Sequence, residues 1–505
     1  MKSTPVNPDP IKLYSAEATR NLDAIAINEF KIPGYELMKR AGKATINHLQ
    51  NTYPLAKEIL ICCGAGNNAG DGYVIAKLAK LAGLNVKVIS LVETGKLKGD
   101  AKLAWQDWNS QGQQLSRFSD KLLQKSDVIV DALLGTGLKR QVEGEWASLI
   151  KAINSSGKPV ISVDIPSGLC PDTGAIAAHA VKANSTMTFI ALKKGMFTHL
   201  AVDYCGEILF DNLSLPSGVY KRQDEQAHLL DWEYLKRQIK VRKSSSHKHQ
   251  LGHVFILGGD KGMPGAIRMA AEAALRSGAG LVTVVSHKEH VGVLLAGRPE
   301  LMLSASDDGH VSPDLLSKAS SIVIGPGLTD SLWSQNLLSS ALESSAPKVI
   351  DAGALRLLSV EDGPRNDWVL TPHAGEAAAL LIDHNAEKES LNASAIQESR
   401  FTSIEMLQLK YGGQIILKGA GSLLLSPDQL IQLCPYGNPG MASAGMGDVL
   451  SGLVGSLIAQ GYELSLASSL AVCIHSMAGD MAAADGQTGL LASDLFPHIR
   501  QLMNT

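Results

Sequence analysis

The first candidate for chemistry is a glycine-rich segment near the end of the chain. It runs Asn438-Pro-Gly-Met-Ala-Ser-Ala-Gly-Met-Gly-Asp-Val-Leu-Ser-Gly452 and contains one acid, Asp448. Apolar residues continue at helical spacing through Leu457 and Ile458, so the pattern predicts a loop that leads into a helix. Glycines let the backbone approach a ligand closely, and the N-terminus of a helix favours an anion such as phosphate.

A carboxylate at that helix end does not bind an anion, so Asp448 needs another explanation. It can act as a base that takes a proton from a hydroxyl group attacking a phosphoryl group. Alternatively, it only caps the first turn of the helix. The density of glycines and small residues favours phosphate chemistry.

Length and composition describe a large globular protein. The 505 residues suggest about two to four domains. Hydrophobic residues make up 45% and charged residues 19%, which is enough to bury a large core. The net charge of −3 provides no broad basic surface, so we expect neither nucleic acid nor a membrane as a partner.

The six cysteines show no Cys-x-x-Cys spacing and lie mostly in apolar surroundings. This pattern is typical of reduced, buried thiols and predicts a cytoplasmic protein. The first 20 residues lack the apolar segment of a signal peptide, and no window of about 18 uninterrupted apolar residues predicts a membrane span.

A second glycine-rich loop lies near the start of the chain. Residues 58–63 predict a strand, residues 64–72 a glycine-rich loop, and residues 73–81 a helix, which is the context of a phosphate or dinucleotide cradle. The spacing departs from the usual dinucleotide fingerprint, because polar residues are inserted. These residues are Asn67, Asn68 and Asp71. Their oxygen atoms could help to ligate a hard cation.

Two further predicted strands end in aspartates, Asp131 and Asp164. A turn with two basic residues follows the first strand at 135–141, and Ser167-Gly168 follows the second. Open parallel sheets bind ligands outside the carboxyl ends of their strands. Each acid alone could be a helix cap or a loop acid, but together they predict a shared pocket. Residues 207–211 predict a strand that closes this sheet at one edge.

The alternation of strands and helices continues after a polar, broken stretch near residues 225–240, where we place a domain boundary. We therefore predict two doubly wound α/β domains, 1–225 and 226–505. In the second domain, His373 and Lys418 lie at strand ends. Each could be an ordinary surface or structural residue, but we interpret His373 as a substrate-pocket wall and Lys418 as directed at a nucleotide phosphate.

The helix predicted for residues 99–114 carries Trp105 and Trp108. We interpret both tryptophans as core or interface packing rather than chemistry. On this basis we expect self-association, as a homo-oligomer.

These motifs resemble a known family, the bifunctional NAD(P)H-hydrate repair enzymes. The loop at 64–72, Asp131-Ala-Leu-Leu-Gly-Thr-Gly137 and Asp164-Ile-Pro-Ser-Gly168 resemble its N-terminal domain. The motifs that resemble the C-terminal, ribokinase-like domain of that family are Gly258-Gly259, Gly278-Ala-Gly280, Gly325-Pro-Gly327, Thr371-Pro-His373, Lys418-Gly-Ala-Gly421 and the segment around Asp448. The likeness covers nearly the whole chain in the same motif order. It departs at Ala374, Gly353 and His249-Gln250.

The resemblance implies a Rossmann-like first domain that interconverts the R and S hydrates of NADH and NADPH. It implies a second domain that dehydrates the S form with ADP and Mg²⁺, giving AMP and phosphate. Asp164 would be the acid/base of the first reaction, and Asp448 the base of the second. In the first domain, K⁺ would be held by Asn68, Asp131 and Ser167.

The resemblance also implies the binding residues. The hydrate would be bound in the first domain by Asn67, Asn68, Ala69, Gly70, Asp71, Gly135, Thr136, Gly137, Leu138, Lys139, Arg140, Gln141 and Asp164. In the second domain the hydrate would be bound by Ala266, Gly327, His373 and Asp448. The nucleotide would be bound by Lys418, Gly419, Ala420, Gly421, Ser422 and Gly447.

Two other hypotheses remain from the sequence. The second domain could be a ribokinase-like small-molecule kinase fused to a ligand-binding domain, although no sugar-lid hairpin is evident before Gly252. The first domain could be a non-enzymatic scaffold, but a scaffold does not need both Asp131 and Asp164 in one crevice.

Overall fold

The chain folds into two compact units. The structure, a computed structural model, describes residues 10–138, 140–358, 363–382 and 391–505. The first unit comprises residues 12–227, and the second comprises residues 228–505 together with the described residues 10 and 11.

The first unit is built on a parallel sheet. The strands of this unit, of which β1 and β7 lie outside that sheet, are β1 (Ile11–Tyr14), β2 (Glu58–Cys63), β3 (Asn85–Ser90), β4 (Val128–Ala132), β5 (Val160–Val163), β6 (Ser185–Phe189), β7 (Leu192–Lys193) and β8 (Glu207–Asp211). Its helices are α1 (Ala16–Asn28), α2 (Gly34–Thr52), α3 (Asn67–Leu81), α4 (Gly99–Asn109), α5 (Asp120–Lys125), α6 (Gly144–Ser155) and α7 (Ser217–Tyr220). The sheet order is β3-β2-β4-β5-β6-β8, with every neighbouring pair parallel, and β1 pairs with β7. Strand β8 forms an edge, as predicted.

The sheet buries both of its faces, which explains why its strands read as continuous apolar runs. Along β2, Ile59 and Ile61 pack into one core cluster, which includes residues of α1 to α4. Leu60 and Cys62 pack into a second cluster, which includes residues of α6. Successive side chains of a strand point to opposite faces, so this alternation places helices on both sides of the sheet. The prediction of a doubly wound α/β fold is confirmed for this unit.

Helix α3 begins at Asn67, so the prediction of a loop reaching residue 72 is wrong. The small residues are used for close packing within the helix. A side chain at Gly70 would come within 2.6 Å of Met38, and one at Gly72 within 2.7 Å of the Cys63 Sγ. Glycine is a poor helix former, and hydrophobic periodicity does not register such contacts, so the pattern placed the start too late.

The second unit contains a longer sheet. After β9 (Ala227–Leu229), its strands are β10 (His253–Leu257), β11 (Leu281–Ser286), β12 (Met302–Ala305), β13 (Ser321–Ile324), β14 (Lys348–Ile350), β15 (Trp368–Leu370), β16 (Gln414–Leu417), β17 (Leu423–Leu425) and β18 (Ile431–Leu433). From β12 the order is β12-β11-β10-β13-β14-β15-β16-β17-β18. Pairing is parallel as far as β16 and antiparallel from β16 to β18.

Helices cover this sheet. They are α8 (Trp232–Leu235), α9 (Pro264–Arg276), α10 (Val291–Gly297), α11 (Pro313–Leu316), α12 (Leu332–Glu343), α13 (Ala352–Leu357), α14 (Ala374–Leu381), α15 (Ala393–Glu398), α16 (Arg400–Tyr411), α17 (Met446–Ala459), α18 (Leu464–Ala482) and α19 (Leu495–Leu502). Helices α9, α17, α18 and α19 share one core cluster with Val254 and Ile256 of β10. Helix α17 lies so close to α9 that a side chain at Gly452 would come within 2.0 Å of the Ala270 carbonyl oxygen.

One segment of the described residues, Leu464–Asp485, has the length and hydropathy of a membrane-spanning helix. Its most apolar window is 67% buried, and α18 contributes many residues to the core, so core packing accounts for its composition.

The tryptophans of α4 lie in the first core rather than on a surface. Trp108 is buried 5.8 Å from the Tyr73 ring, and Trp105 packs against the same cluster. Trp105 is only half-buried, so core packing is confirmed for Trp108, and self-association stays a prediction. All six cysteines are free, and only Cys170 is not fully buried.

Candidate active sites

The first unit encloses a cavity of about 630 Å³ at the carboxyl ends of its strands. Residues of α1 and α2 also line the cavity. The predicted binding residues that line it are Asn67, Asn68, Asp71, Gly135, Thr136, Gly137, Leu138, Arg140 and Asp164.

Other predicted residues lie elsewhere. Ala69 and Gly70 are buried in the packing of α3, and Gln141 is exposed outside the cavity lining. Lys139 lies outside the described residues.

Asp164 is held by a lysine that the sequence interpretation missed. The Nζ of Lys193 donates to the Asp164 carboxylate, and it also donates to Thr188 Oγ1 at 2.8 Å. Lys193 is 0% exposed, whereas the Asp164 side chain is 20% exposed toward the cavity. The lysine therefore fixes one end of the carboxylate and leaves the other available to a ligand. A lysine directly after an apolar strand was the available signal, because lysine is almost never buried without a partner.

Further carboxylates surround this pair. Asp23 and Asp100 line the same cavity as Asp71 and Asp164. Burial raises the pKa of Asp71 well above its ordinary value, and the charges of Asp164 and Asp23 add to the effect. Burial, with Asp100 and Asp164, also raises the pKa of Asp23. Protonated and ionised carboxyl groups can therefore coexist in one cavity, as acid/base chemistry requires.

Asp131 does not face the cavity, so the expectation of two acids in one ligand pocket is wrong for this residue. It is 0% exposed, and burial raises its pKa against the hydrogen bonds that stabilise the carboxylate. Its four bonds come from Ser167 Oγ at 2.6 Å, Ser162 Oγ at 2.8 Å, Ser167 N at 2.9 Å and Leu133 N at 3.2 Å. Asp131 thus organises the loops beneath the cavity.

Asn68 connects that network to the cavity. Its Nδ2 donates to the Leu134 carbonyl oxygen at 3.0 Å, the same oxygen that accepts from Ser167 Oγ at 3.2 Å. Its Oδ1 is buried and has no hydrogen-bond partner among the described residues. An unpaired buried acceptor is costly, and a bound cation would satisfy it.

In the second unit, Lys418 follows β16 and meets carboxylates from neighbouring strand ends. Its Nζ lies 2.8 Å from Asp351 Oδ1 and 3.8 Å from Glu376 Oε2. Asp351 also accepts from Thr371 Oγ1 at 2.7 Å. Burial disfavours the ammonium form, but Asp351, Glu376 and Asp448 outweigh burial and raise the pKa of Lys418.

Asp448 stands in the first turn of α17, beside this lysine. Burial and the charges of Asp351 and Glu376, opposed by Lys418, raise the pKa of Asp448 to about 7. The residue that caps α17 is Gly445, with a φ of 88°, so capping does not explain the aspartate. A carboxylate with a pKa near neutrality is suited to act as a general base.

The nucleotide-binding residues predicted at 418–422 form a loop between the antiparallel strands β16 and β17. Gly419 and Gly421 have φ values of 147° and 67°, which other residues rarely adopt. Ser422 Oγ donates to the Gly419 carbonyl oxygen at 3.2 Å, and Ala420 lies at the exposed tip. Gly447 faces Lys418, since a side chain there would begin 3.3 Å from its Nζ.

His373 has a structural role at the start of α14. Its Nδ1 accepts from the backbone N–H groups of Gly375 and Glu376, and so caps that helix. The side chain is 60% exposed. Ala266 is half-buried in α9, and Gly327 packs against Met263 just before that helix. No described hydrogen bond or ion pair joins Ala266 or Gly327 to Lys418.

The fold and the two sites define a class of protein: a two-domain α/β enzyme, with acid/base groups in one unit and, in the other, a glycine-rich loop with a lysine beside an aspartate. Residues 34–195 match the family model described as "YjeF-related protein N-terminus", and residues 254–501 match "NAD(P)H-hydrate dehydratase".

Similar proteins span the whole chain. The bifunctional NAD(P)H-hydrate repair enzyme Nnr of Coxiella burnetii is 46% identical over 97% of this chain and 99% of that protein. The Escherichia coli protein of the same name is 38% identical over 100% of this chain and 96% of that protein. A ribokinase-like superfamily protein from Enterococcus faecalis is 28% identical, with a TM-score of 0.50, and covers 56% of this chain and 96% of that chain.

The chain therefore belongs to the family of bifunctional NAD(P)H-hydrate repair enzymes. The predicted resemblance is confirmed, as are the α/β class and the ribokinase-like fold of the second unit. The alternative of a small-molecule kinase fused to a binding domain is not favoured, because the match extends through both units.

Proposed function

We propose that the two units repair hydrated nicotinamide coenzymes in sequence. The first interconverts the R and S hydrates of NADH and NADPH. The second converts the S hydrate and ADP into NADH or NADPH, AMP and phosphate. The observation that carries the proposal is the aspartate with a pKa of about 7, Asp448, beside Lys418 and the glycine-rich loop.

The second reaction needs a better leaving group than hydroxide. Asp448 would take the proton of the ring hydroxyl, whose oxygen then attacks the terminal phosphoryl group of ADP and releases AMP. The C–O bond to the new phosphate would break as the ring nitrogen supplies electrons, and the adjacent ring carbon would lose a proton. Lys418 would stabilise charge on the transferred phosphoryl group.

The first reaction must break and remake the bond between the ring carbon and its hydroxyl oxygen. Asp164 would donate a proton to the departing hydroxyl and remove one from the water that returns on the opposite face. Lys193 would hold Asp164 in place. The residues at 135–138 and Arg140 would bind the phosphates, which a glycine turn with a basic side chain suits.

Two cations belong to the proposal. K⁺ would lie at Asn68, where the unpartnered Oδ1 supports a ligand role. Asp131 and Ser167 would complete and position that site, and the ion would order the substrate loops. Mg²⁺ would arrive with ADP, held by the phosphates and several waters. No cluster of three or more metal-binding acids, histidines or cysteines occurs among the described residues. The acids near Lys418 are Asp351, Glu376 and Asp448.

The six free cysteines support a cytoplasmic location. We also propose a homo-oligomer without nucleic acid or membrane partners.

The test uses the full chain and the variants Asp164→Asn and Asp448→Asn. Each is incubated with mixed hydrates, with ADP or ATP, in K⁺ or choline salts. Dihydronicotinamide absorbance reports dehydration, and the R to S ratio reports epimerisation. We expect Asp448→Asn to lose dehydration by about 10²–10⁴-fold while epimerisation persists, and Asp164→Asn to show the reverse. Normal dehydration by Asp448→Asn would refute the assigned role.

A further inference from the structure

The guanidinium group of Arg400 lies beneath the loop at 417–421. Arg400 begins α16 and is 1% exposed. Its Nη2 donates to the carbonyl oxygens of Leu417 at 3.1 Å and Gly421 at 3.2 Å. Its Nη1 donates to the carbonyl oxygen of Lys418 at 3.4 Å. One side chain thus joins both ends of the loop that we assign to the nucleotide.

The loop is shaped to admit this arginine. A side chain at Gly419 would come within 2.6 Å of the Arg400 Nη1, so only glycine leaves room for the guanidinium group. With its carbonyl groups turned inward to Arg400, the loop can direct backbone N–H groups outward, as anion-binding turns do. The same contacts fix the backbone from which the Lys418 side chain extends.

Within the part of the chain that the structure describes, no acid pairs with Arg400. Its fourth described partner is the Oε1 of Gln397, at 2.7 Å, and none of its described partners is a carboxylate. Burial lowers the pKa of Arg400 to about 10, so the group remains cationic at neutral pH. A buried cation is costly to retain. Beneath a loop that receives an anion, however, its field adds to the stabilisation of that anion.

We propose that Arg400 is a positioning residue for the nucleotide. It holds the loop in the form that binds the phosphates and adds positive charge behind it, without touching the reacting atoms. The inference rests on the proposed nucleotide role of residues 418–422. It predicts a selective effect on ADP, whereas a purely structural role predicts an equal loss of stability and of all activities.

The experiment measures steady-state dehydration by the full chain carrying Arg400→Met, Arg400→Lys or Gln397→Met. We expect KM for ADP to rise at least tenfold in Arg400→Met, with kcat at saturating ADP within about threefold of the wild type. Arg400→Lys keeps the charge but not the fork of donors, so its KM for ADP lies between that of the wild type and that of Arg400→Met. Gln397→Met leaves the arginine in place and raises KM least. KM for the hydrate stays unchanged.

The controls separate this inference from the fold and from the proposed function. Arg298→Lys alters a partly buried arginine that pairs with Glu272, away from the loop contacts, so ADP KM stays unchanged. Epimerisation reports the integrity of the first unit. A lower kcat and a lower melting temperature in Arg400→Lys, with KM for ADP unchanged, would overturn the inference. A wild-type enzyme without ADP-dependent dehydration would instead overturn the proposed function.

Discussion

At the scale of single residues, each of the two proposed catalytic aspartates lies beside a lysine and among other carboxylates, but only Asp164 is in direct contact with its lysine. Asp164 is bound to a fully buried lysine, whereas Asp448 faces two other acids and is opposed by one lysine at its site. Pattern reasoning found both acids because each follows a recognisable strand or glycine loop. It missed Lys193 and Arg400, since these residues become neighbours of the two sites only through tertiary packing, and only Lys193 had a signal in the sequence, its position after an apolar strand.

The pKa of Asp448 predicts a pH profile for dehydration. The base must be ionised, so kcat/KM should rise about tenfold per pH unit below a pKa of about 7 and level off above it. A steady-state pH series at subsaturating ADP and hydrate measures this rise directly. A flat profile from pH 5.5 to 8 would contradict the role of Asp448.

The same shift has a consequence for stability. The folded state raises the pKa, so it binds the proton more tightly than the unfolded chain does. The contribution of Asp448 to stability is therefore full below its ordinary pKa of 3.8 and is lost as pH rises through about 7. The melting-temperature advantage of Asp448→Asn over the wild type should accordingly grow across this window.

The ion pair between Lys193 and Asp164 supports a prediction about epimerisation. Lys193→Met should lower epimerisation by about 10²-fold or more, because Asp164 loses the group that orients it, while ADP-dependent dehydration stays within twofold. Lys193→Arg, which keeps the charge, is the matched variant and should retain more activity. Equal loss of both activities in Lys193→Met would indicate unfolding rather than a local role.

At the scale of elements, close helix packing depends on glycines. Helix α17 carries Asp448 and touches α9 at Gly452, where an added carbon would come within 2.0 Å of a carbonyl oxygen. The position of the proposed catalytic aspartate is thus set by backbone contact. His475 of α18 adds to this, since its Nε2 lies 2.9 Å from the Met446 carbonyl oxygen at the start of α17.

Gly452→Ala should therefore destabilise the second unit by about 1–3 kcal/mol and lower kcat for dehydration. Gly292→Ala in α10 is the control, because nothing lies within 4 Å of the added carbon. That variant should be neutral or stabilising by up to about 1 kcal/mol. Urea unfolding measures the stability of each variant, and assays of the two activities measure kcat. Equal stabilities of Gly452→Ala and Gly292→Ala would contradict the packing argument.

The sequence was informative about elements with a strong apolar signal. The strand at residues 58–63 was predicted to the residue, as was the edge strand at 207–211. It was misleading where small residues pack, as at the start of α3, where glycine suggested a loop. It also placed Asp131 in the pocket, because a strand-end position does not reveal whether neighbouring serines already enclose the carboxylate.

At the scale of the whole molecule, each unit has its own core clusters and its own candidate site. The cavity of the first unit is lined entirely by residues of that unit. A substitution in one unit can therefore abolish the reaction proposed for that unit and leave the residues proposed for the other reaction unchanged.

This separation predicts complementation between chains. Neither Asp164→Asn nor Asp448→Asn alone should convert the R hydrate efficiently to NADH, but a mixture of the two should do so, since the S hydrate can diffuse from one chain to the other. Dihydronicotinamide absorbance during incubation of purified R hydrate with ADP measures the result. A mixture no faster than its components would indicate that the substrate passes only within a chain.

The backbone conformation at Asp164 determines which residues this position can accept. Its φ is 66°, a left-handed conformation that aspartate and asparagine tolerate better than most residues. A change to asparagine would thus leave the backbone unstrained, but it would remove the acid that pairs with the fully buried Lys193. The first unit should therefore lose stability together with the proposed first reaction, whereas the second unit, which has its own core, should keep its stability.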